Sequence, residues 1–418
     1  MKTANLFKLV LAVALVAAPV DMCGQGLLKK LGQGLQKVLA PTSNTNKPKT
    51  TTTRTPQLSK PSIIINTEHK DIVDGDLLIR PYGENPSCDI QFVMARREGA
   101  LVNVYFYLHN RNVLPVNGVR MRNYGENAVF VTKLPSHEIG QMAVNSLRKF
   151  GVNTSEIVRG GNRVGIYYCE KGASQRPSKV IYDRKYSSIS TAARADFDWN
   201  KILDGATWFH FTGITPALSD SCAEICLDAV KIAKKLGVTV SCDLNFRKNL
   251  WTTEKADRVM SELMPYVNVC IANEEDAKDV FGIEAENTDI YGGKLNHEGY
   301  KSVAKQLADR FGFEKVAITL RSSISASDND WAGMLYDGEN YCFSKSYHLH
   351  IVDRVGGGDS FGAGLIYSLL SGKSSQAAIE FAVAASALKH SVEGDFNHVS
   401  ADEVDSLIKS GGSGRVQR

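Results

Sequence analysis

The sequence lacks the cysteine and histidine spacings of zinc modules and disulfide-rich domains. Its eight cysteines include no CxxC pair and no paired Cys/His motif, which argues against a zinc site. Cys242 and Cys270 lie inside apolar, strand-like runs, where buried free thiols are expected. Over residues 123–418 the cysteine pattern is therefore typical of a reducing compartment.

An excess of positive charge is absent from most of the chain. Residues 1–122 hold 16 Lys and Arg against 8 Asp and Glu, a net charge of +8. Because the whole chain holds 49 against 45, residues 123–418 hold 33 against 37, a net charge of −4. The basic surplus belongs to the N-terminal third, and the rest gives no reason to predict nucleic-acid binding.

Long apolar runs are scarce, and one stands at the start of the chain. Residues 1–22 have a lysine-bearing head and an apolar core, as a secretory signal does; a short buried helix is the alternative. Residues 23–61 form a low-complexity linker, rich in Thr, Pro and Lys towards its end. Residues 62–122 contain short β-rich runs that predict a small β-rich region of unknown role. A partner-binding sheet is the less favoured alternative there.

Strand and helix patterns alternate from about residue 123 onward. The strand-like runs "VFVTK", "VTVSCDLNF" and "VNVCIAN" are each followed by a stretch of helical period. The run "KVAITL" is followed by two further strand patterns, "WAGMLYDG" and "YCFSKSY". This repetition predicts an α/β fold with a mainly parallel sheet and helices on both of its faces.

Three consecutive glycines and an aspartate stand in "IVDRVGGGDSFGAG", residues 351–364. Gly356, Gly357 and Gly358 directly precede a helical pattern, which is how a backbone cradle for an anion is built. Asp359 has two interpretations: it caps the helix, or it accepts the proton of an alcohol that attacks a phosphoryl group held in the cradle. The run is not a Walker A loop, because no GK[ST] follows the glycines.

The same run resembles the D-x-x-G-[AG]-G-D-x-F-x-x-G signature of the ribokinase-like (PfkB) carbohydrate kinases. The matching residues are Asp353, Gly356, Gly358, Asp359, Phe361 and Gly364. Arg354 stands where many members carry threonine. Further stretches, including "CDLNFRKNLW", "IANEEDA" and "VEGDFNH", resemble the 2-keto-3-deoxygluconate kinase branch of the family. The resemblance implies a ribokinase-like three-layer sandwich over residues 123–418.

The resemblance also implies the activity and the site. It predicts ATP- and Mg²⁺-dependent phosphorylation of 2-keto-3-deoxygluconate, with another sugar such as fructose as an alternative. Asp359 would be the catalytic base, and the backbone of Gly356–Gly358 the anion hole. The implied substrate-binding residues are Tyr167, Tyr182, Arg184, Arg247 and Asp395. The implied nucleotide and Mg²⁺–phosphate residues are Asn273, Asp276 and Asp353, although Asp276 replaces the family's glutamate and no residue is assigned directly to the metal.

Elements that the family places first are missing from the sequence pattern. Residues 1–122 contain no Gly-Gly-x-x-x-N-x-A run, so the first sheet strand and the lid strands are expected to be absent through fusion or mis-joining. We expect impaired activity and a weakened homodimer, since the lid often supplies dimer contacts in this family. The kinase chemistry predicts a cytoplasmic protein, whereas residues 1–22 predict export. The alternative function is an exported binding protein with an inert kinase-like domain.

Overall fold

The computed structural model describes residues 124–284 and 297–410, together with short strands at 72–74, 77–79 and 103–106. The predicted signal-like segment and linker, residues 1–61, lie outside the described residues, as does most of the β-rich region. Within the described part of the chain, no helix is long and apolar enough to cross a membrane.

The described elements alternate in the way that the sequence predicts. The strands are β1 Ile72–Asp74, β2 Leu77–Ile79, β3 Asn103–Phe106, β4 Thr132–Leu134, β5 Ile157–Arg159, β6 Ile166–Glu170, β7 Lys179–Asp183, β8 Trp208–Thr212, β9 Thr239–Asp243, β10 Val269–Ala272, β11 Lys315–Ser323, β12 Asp328–Tyr336, β13 Tyr341–Phe343 and β14 Tyr347–His350. The helices are α1 Glu138–Arg148, α2 Trp199–Ile202, α3 Ile214–Ala217, α4 Asp220–Leu236, α5 Thr253–Leu263, α6 Glu274–Phe281, α7 His297–Phe311, α8 Gly357–Leu370, α9 Ser375–Lys389 and α10 Ala401–Ser410.

The central sheet has seven strands in the order β13-β12-β11-β10-β9-β8, with β14 also pairing with β12. Strands β8 to β11 are parallel neighbours, whereas β12 runs antiparallel to β11, β13 and β14. The sheet is therefore mixed, although its centre is parallel as predicted. The change of direction follows from connection length, because the short turn between β11 and β12 cannot form the long crossover that a parallel pair needs.

Helices cover both faces of this sheet, as the alternation of buried residues along each strand requires. On β11, Val316 and Ile318 pack into the cluster that holds Ala229 of α4 and Met260 of α5. Ala317, between them, packs on the opposite face against the helices α8 and α9. The described residues thus form the predicted three-layer sandwich.

A smaller three-stranded antiparallel sheet, here called the lid, has the order β3-β6-β7. Its first strand comes from the β-rich region, and its register runs from Asn103 opposite Cys169 to Phe106 opposite Ile166. At least this strand of residues 62–122 therefore pairs with the kinase-like part of the chain, and the expectation that these residues supply no lid strand is wrong for β3. Strands β4 and β5 form a separate parallel pair.

The two core cysteines singled out in the sequence are buried, unbonded thiols. Cys242 and Cys270 are neighbours across β9 and β10 and have no exposed surface. Burial raises the pKa of each thiol well above its ordinary value, and nearby carboxyl groups add to the increase. Both therefore act as small apolar core residues, as predicted.

Candidate active site

The three glycines of the anion loop, residues 353–359, each have a different structural reason. Gly356 precedes α8 with φ 75° and ψ 8°, a left-handed conformation that favours glycine. A Cβ on Gly357 would lie 2.6 Å from Cε1 of His390, so close packing excludes a side chain there. A Cβ on Gly358 would meet nothing within 4 Å. The third glycine therefore leaves open space in front of the helix, where an anion could sit.

Asp359 is the third residue of α8, and the N-cap residue of this helix is Gly356. The interpretation of Asp359 as the helix cap is therefore wrong, because the helix begins two residues before it. The side chain is half-buried and lines the cavity in front of the anion loop. Its carboxylate is thus placed beside a helix N-terminus and next to the space that Gly358 leaves open.

A cavity of about 310 Å³ lies between the anion loop, the lid and the carboxyl ends of β9 and β10. This is where open α/β sheets bind ligands. The predicted site residues that line it are Arg247, Asn273, Asp276, Asp353, Gly356, Gly357, Gly358 and Asp359. Predicted residues from three separate stretches of sequence therefore meet at one cavity.

Two neighbouring carboxyl groups line this cavity: Asp243 at the end of β9, and Asp276 in the first turn of α6, just after β10. Burial raises the pKa of Asp276 to about 6, and the positive charge of Arg247 limits the increase. Burial raises the pKa of Asp243 well above its usual value, and repulsion from Asp276 and Asp359 raises it further. Sequence reasoning missed Asp243, although it ends the strand "TVSCD" just before the predicted Arg247.

Asn273 and Asp276 also begin the helix α6. Oδ1 of Asn273 accepts hydrogen bonds from the backbone N–H groups of Glu275 and Asp276, both at 2.8 Å. Asp276 accepts from the backbone N–H of Asn273 at 3.4 Å and from that of Phe246 at 2.9 Å. This capping box fixes both side chains at the cavity wall. Their contact with a nucleotide or Mg²⁺ stays a prediction.

Asp353 holds the anion loop against the turn that follows α9. Its side chain is 2% exposed, and its two oxygens accept backbone N–H groups of Val355 and Gly394, both at 3.1 Å. Nζ of Lys171, from the lid, lies 3.7 Å from Oδ2 of Asp353. Asp353 therefore positions the loop, and its predicted contact with the nucleotide stays a prediction.

Four of the predicted substrate-binding residues form what we call the tyrosine cluster: Tyr167, Tyr182, Arg184 and Asp395. The hydroxyl of Tyr167 donates to Asp395 at 3.1 Å, and the rings of Tyr167 and Tyr182 are 6.1 Å apart. The guanidinium of Arg184 lies 3.8 Å from the centre of the Tyr182 ring. Tyr167 is fully buried, and none of the four lines the cavity itself. The structure brings them together, while their contact with a sugar acid stays a prediction.

A strained residue, Asn245, lines the cavity between Asp243 and Arg247. Its φ of 40° lies in the left-handed region, which costs a non-glycine residue roughly 1–3 kcal/mol. Its side-chain amide donates to Oγ1 of Thr212 at 3.2 Å, at the end of β8. Such strain is typical of functional sites. A sequence pattern gives no signal for it.

Three cations at the cavity were also missed by sequence reasoning: Lys171, Arg321 and Arg354. Lys171 pairs with Glu393 at 3.0 Å and connects the lid to the turn before Asp395. For these three residues the sequence contained one signal: Arg354 stands where the family signature usually has threonine.

Comparison with known proteins gives consistent results. The pfkB family carbohydrate kinase model matches residues 119–401. A curated relative, the 2-dehydro-3-deoxygalactonokinase of Haloferax volcanii, is 30% identical over 290 residues, 69% of this chain and 84% of the relative.

Solved structures resemble the chain over a similar span. The 2-dehydro-3-deoxygluconokinase of Thermotoga maritima has a TM-score of 0.68 at 52% identity, covering 71% of this chain and 88% of that one. An Escherichia coli chain solved in complex with ATP and Mg²⁺ has a TM-score of 0.59 at 17% identity, covering 71% and 88%, and supports the ribokinase-like fold alone. With the family model matching more than half of its length and the anion loop built as the signature requires, this chain belongs to the pfkB family of carbohydrate kinases.

Proposed function

We propose that the chain is an ATP-dependent kinase that phosphorylates the C6 hydroxyl of 2-keto-3-deoxygluconate. The observation that carries this is the placement of Asp359 at the end of the anion loop, in the first turn of α8 and on the cavity wall. The names of the relatives in Haloferax volcanii and Thermotoga maritima support a 2-keto-3-deoxy sugar acid as the substrate class.

The anion loop would hold the phosphoryl group during transfer. The partial positive charge at the start of α8 favours an anion in the open space beside Gly358. The sugar hydroxyl oxygen attacks the γ-phosphorus, the bond from that phosphorus to ADP breaks, and Asp359 takes the hydroxyl proton. Positioning and electrostatics then supply most of the rate.

The cavity also fits Mg²⁺ in the manner usual for kinases. Among the described residues, no group of three His, Cys, Asp or Glu side chains is arranged to hold a metal. Mg²⁺ is commonly held by one or two carboxylates with water and substrate phosphates, which Asp276 and neighbouring Asp243 could supply. When bound, Mg²⁺ would offset the charge of the phosphates.

The sugar-acid side would use the lid and Arg247. A guanidinium fork matches a carboxylate, which 2-keto-3-deoxygluconate has and fructose lacks. Arg184, stacked on Tyr182, and Arg247, on the cavity wall, are the two candidates for this contact. Fructose is therefore the weaker alternative substrate. Because the reaction consumes ATP, we propose that it takes place in the cytoplasm.

Within the described residues, β8 is the last strand of the central sheet and pairs only with β9, while β4 and β5 form a separate two-stranded sheet. This supports the hypothesis that a first strand of the family fold is missing between these sheets. We expect the full chain to turn over roughly a hundredfold more slowly than a variant with a family N-terminal segment placed ahead of Asn123. Equal rates would show that residues 1–122 already complete the site.

A substrate panel tests the proposed function. The full chain, ATP and Mg²⁺ are incubated with 2-keto-3-deoxygluconate, its galactonate epimer, fructose or ribose, and ADP is detected by a coupled assay. We expect sugar-dependent ADP release with the two acids and little with the neutral sugars. ADP release with fructose alone would show that the substrate is fructose and not a sugar acid. ADP release with none of the sugars would contradict the proposal.

A further inference from the structure

Two arginines of the cavity, Arg321 and Arg354, are not among the residues that hold the phosphoryl group or the sugar acid in the proposed function. Arg321 lies on β11 and Arg354 inside the anion loop, two residues before Gly356, and both line the cavity. Asp353, the carboxylate next to Arg354, accepts two backbone N–H groups and approaches Lys171. The pocket therefore carries two guanidinium groups on the side of β11, close to where the phosphoryl group would sit.

The position of Arg354 is fixed by a backbone contact. Its Nη2 donates to the carbonyl oxygen of Ala326 at 2.8 Å, in the turn between β11 and β12, and the side chain is half-buried. Arg321 starts from the strand that leads into this turn. Both side chains thus come from segments anchored to the central sheet, and the guanidinium of Arg354 is held before any ligand binds.

The two charges repel each other. Burial lowers the pKa of Arg354, repulsion from Arg321 lowers it further, and the attraction of Asp353 is the smaller influence. Repulsion between like charges held together destabilises the unliganded cavity, and a bound anion offsets this repulsion. A nucleotide polyphosphate has several negative charges along its length, and a guanidinium group can donate two parallel hydrogen bonds to phosphate oxygens.

We propose that Arg354 and Arg321 clamp the polyphosphate of the nucleotide behind the γ-phosphoryl group that the anion loop holds. This inference rests on ATP as the phosphoryl donor of the proposed function. It assigns the arginine that replaces the usual threonine of the signature to nucleotide binding.

Arg354 also has a structural contact that the test must separate from phosphate binding. The turn that it holds meets the lid, since the backbone N–H of Ala326 donates to the carbonyl of Ser174 at 2.7 Å and the N–H of Ser174 donates to Oγ of Ser327 at 2.9 Å. Loss of Arg354 could loosen this turn. A loosened turn would weaken every ligand of the cavity, whereas a lost clamp weakens ligands according to their number of phosphates.

The experiment is titration calorimetry of the full chain with ATP, AMP and inorganic tripolyphosphate. The variants are Arg354→Gln, Arg321→Gln and the control Arg310→Gln, which removes an exposed arginine that pairs with Asp257 on α5. We expect each cavity variant to raise the Kd of ATP and tripolyphosphate roughly ten- to a hundredfold. The Kd of AMP should change less than about threefold, and the control should match the wild type.

The outcomes separate the clamp from the proposed function. An unchanged ATP Kd in both variants, an equal loss for AMP and ATP, or a wild-type chain that binds neither ATP nor tripolyphosphate would overturn the clamp. Sugar-dependent ADP release is measured on the same samples. If the wild type turns over and the variants bind ATP as tightly as it does, the clamp is wrong and the proposed function stands. If the variants lose affinity in proportion to the number of phosphates on the ligand but the wild type shows no turnover, the clamp stands and the proposed function is wrong. If Arg354→Gln fails to fold in a thermal melt, Arg321→Gln, an exposed position, decides the question.

Discussion

The anion loop and the tyrosine cluster are built in opposite ways. The anion loop is one continuous stretch, residues 353–359, at the start of a helix buried against the central sheet. The tyrosine cluster joins the lid to a distant turn: Tyr167 and Asp395, which share a hydrogen bond, are 228 residues apart. The chemistry is thus placed on the core of the fold, and the proposed recognition of the sugar on a small sheet beside it.

The supports of the two regions differ as well. Behind the anion loop, Oγ of Ser386 donates to the carbonyl of Gly357 at 2.8 Å, and Oγ of Ser360 donates to that of Ala385 at 3.0 Å, both buried. The lid leaves large apolar groups exposed, with Ile181 of β7 at 54% exposure. We therefore expect changes near the anion loop to act on turnover and on ATP binding, and changes in the tyrosine cluster to act on affinity for the sugar acid.

Asp359→Asn should have the largest effect. Asparagine keeps the size of the side chain but cannot take the hydroxyl proton, so kcat should fall roughly a hundred- to ten-thousandfold while the Kd of ATP changes little. Steady-state kinetics and calorimetry measure the two quantities. Full turnover in this variant would remove Asp359 from the mechanism.

The glycine pair Gly357→Ala and Gly358→Ala should separate packing from ligand space. The new Cβ at 357 would press on the ring of His390, which should cost roughly 1–3 kcal/mol in the free energy of unfolding. The Cβ at 358 meets no protein atom within 4 Å, so stability should hold while ATP binds about tenfold more weakly. Denaturant unfolding and ATP calorimetry test both, and equal stability losses would contradict this account of the loop.

Asp276→Asn should change the pH dependence of stability. The pKa of Asp276 is raised from 3.8 to about 6 in the fold, so between these values the native state binds more protons and stability falls as pH rises. One unit of pKa corresponds to about 1.4 kcal/mol, so the wild type should lose about 3 kcal/mol relative to the variant between about pH 4 and 6. The difference should be constant well above pH 6. A difference in unfolding free energy that does not vary with pH would contradict the assignment.

Tyr167→Phe should have the smallest effect. It removes the hydroxyl that donates to Asp395, worth about 1 kcal/mol, so KM for the sugar acid should rise about fivefold with kcat within about twofold. The matched control is Tyr336→Phe, which removes a hydroxyl donating to the carbonyl of Gly338 in the hairpin of β12 and β13. A similar change of KM in the control, or a large loss of kcat at Tyr167, would break the division between the two regions.

The sequence predicted the anion loop, because the residues that form it are neighbours along the chain. The strand pattern, the glycines and Asp359 are read from neighbouring residues, and the α/β sandwich follows from alternation along the chain. Asp243 and Asn245 were missed because a strand end becomes a cavity wall only once the sheet order is known. The pairing of β3 with β6 was missed for a similar reason, since it joins segments that are far apart in sequence.

The central claim is tested most directly by following the phosphorus atoms. The full chain is incubated with ATP, Mg²⁺ and 2-keto-3-deoxygluconate, and ³¹P NMR records the products. The account predicts loss of the γ-phosphate signal and growth of ADP and of one phosphomonoester on C6, both at least roughly a hundredfold slower with Asp359→Asn. Conversion of ATP to ADP and inorganic phosphate without a sugar phosphate, or equal product from Asp359→Asn, would contradict it.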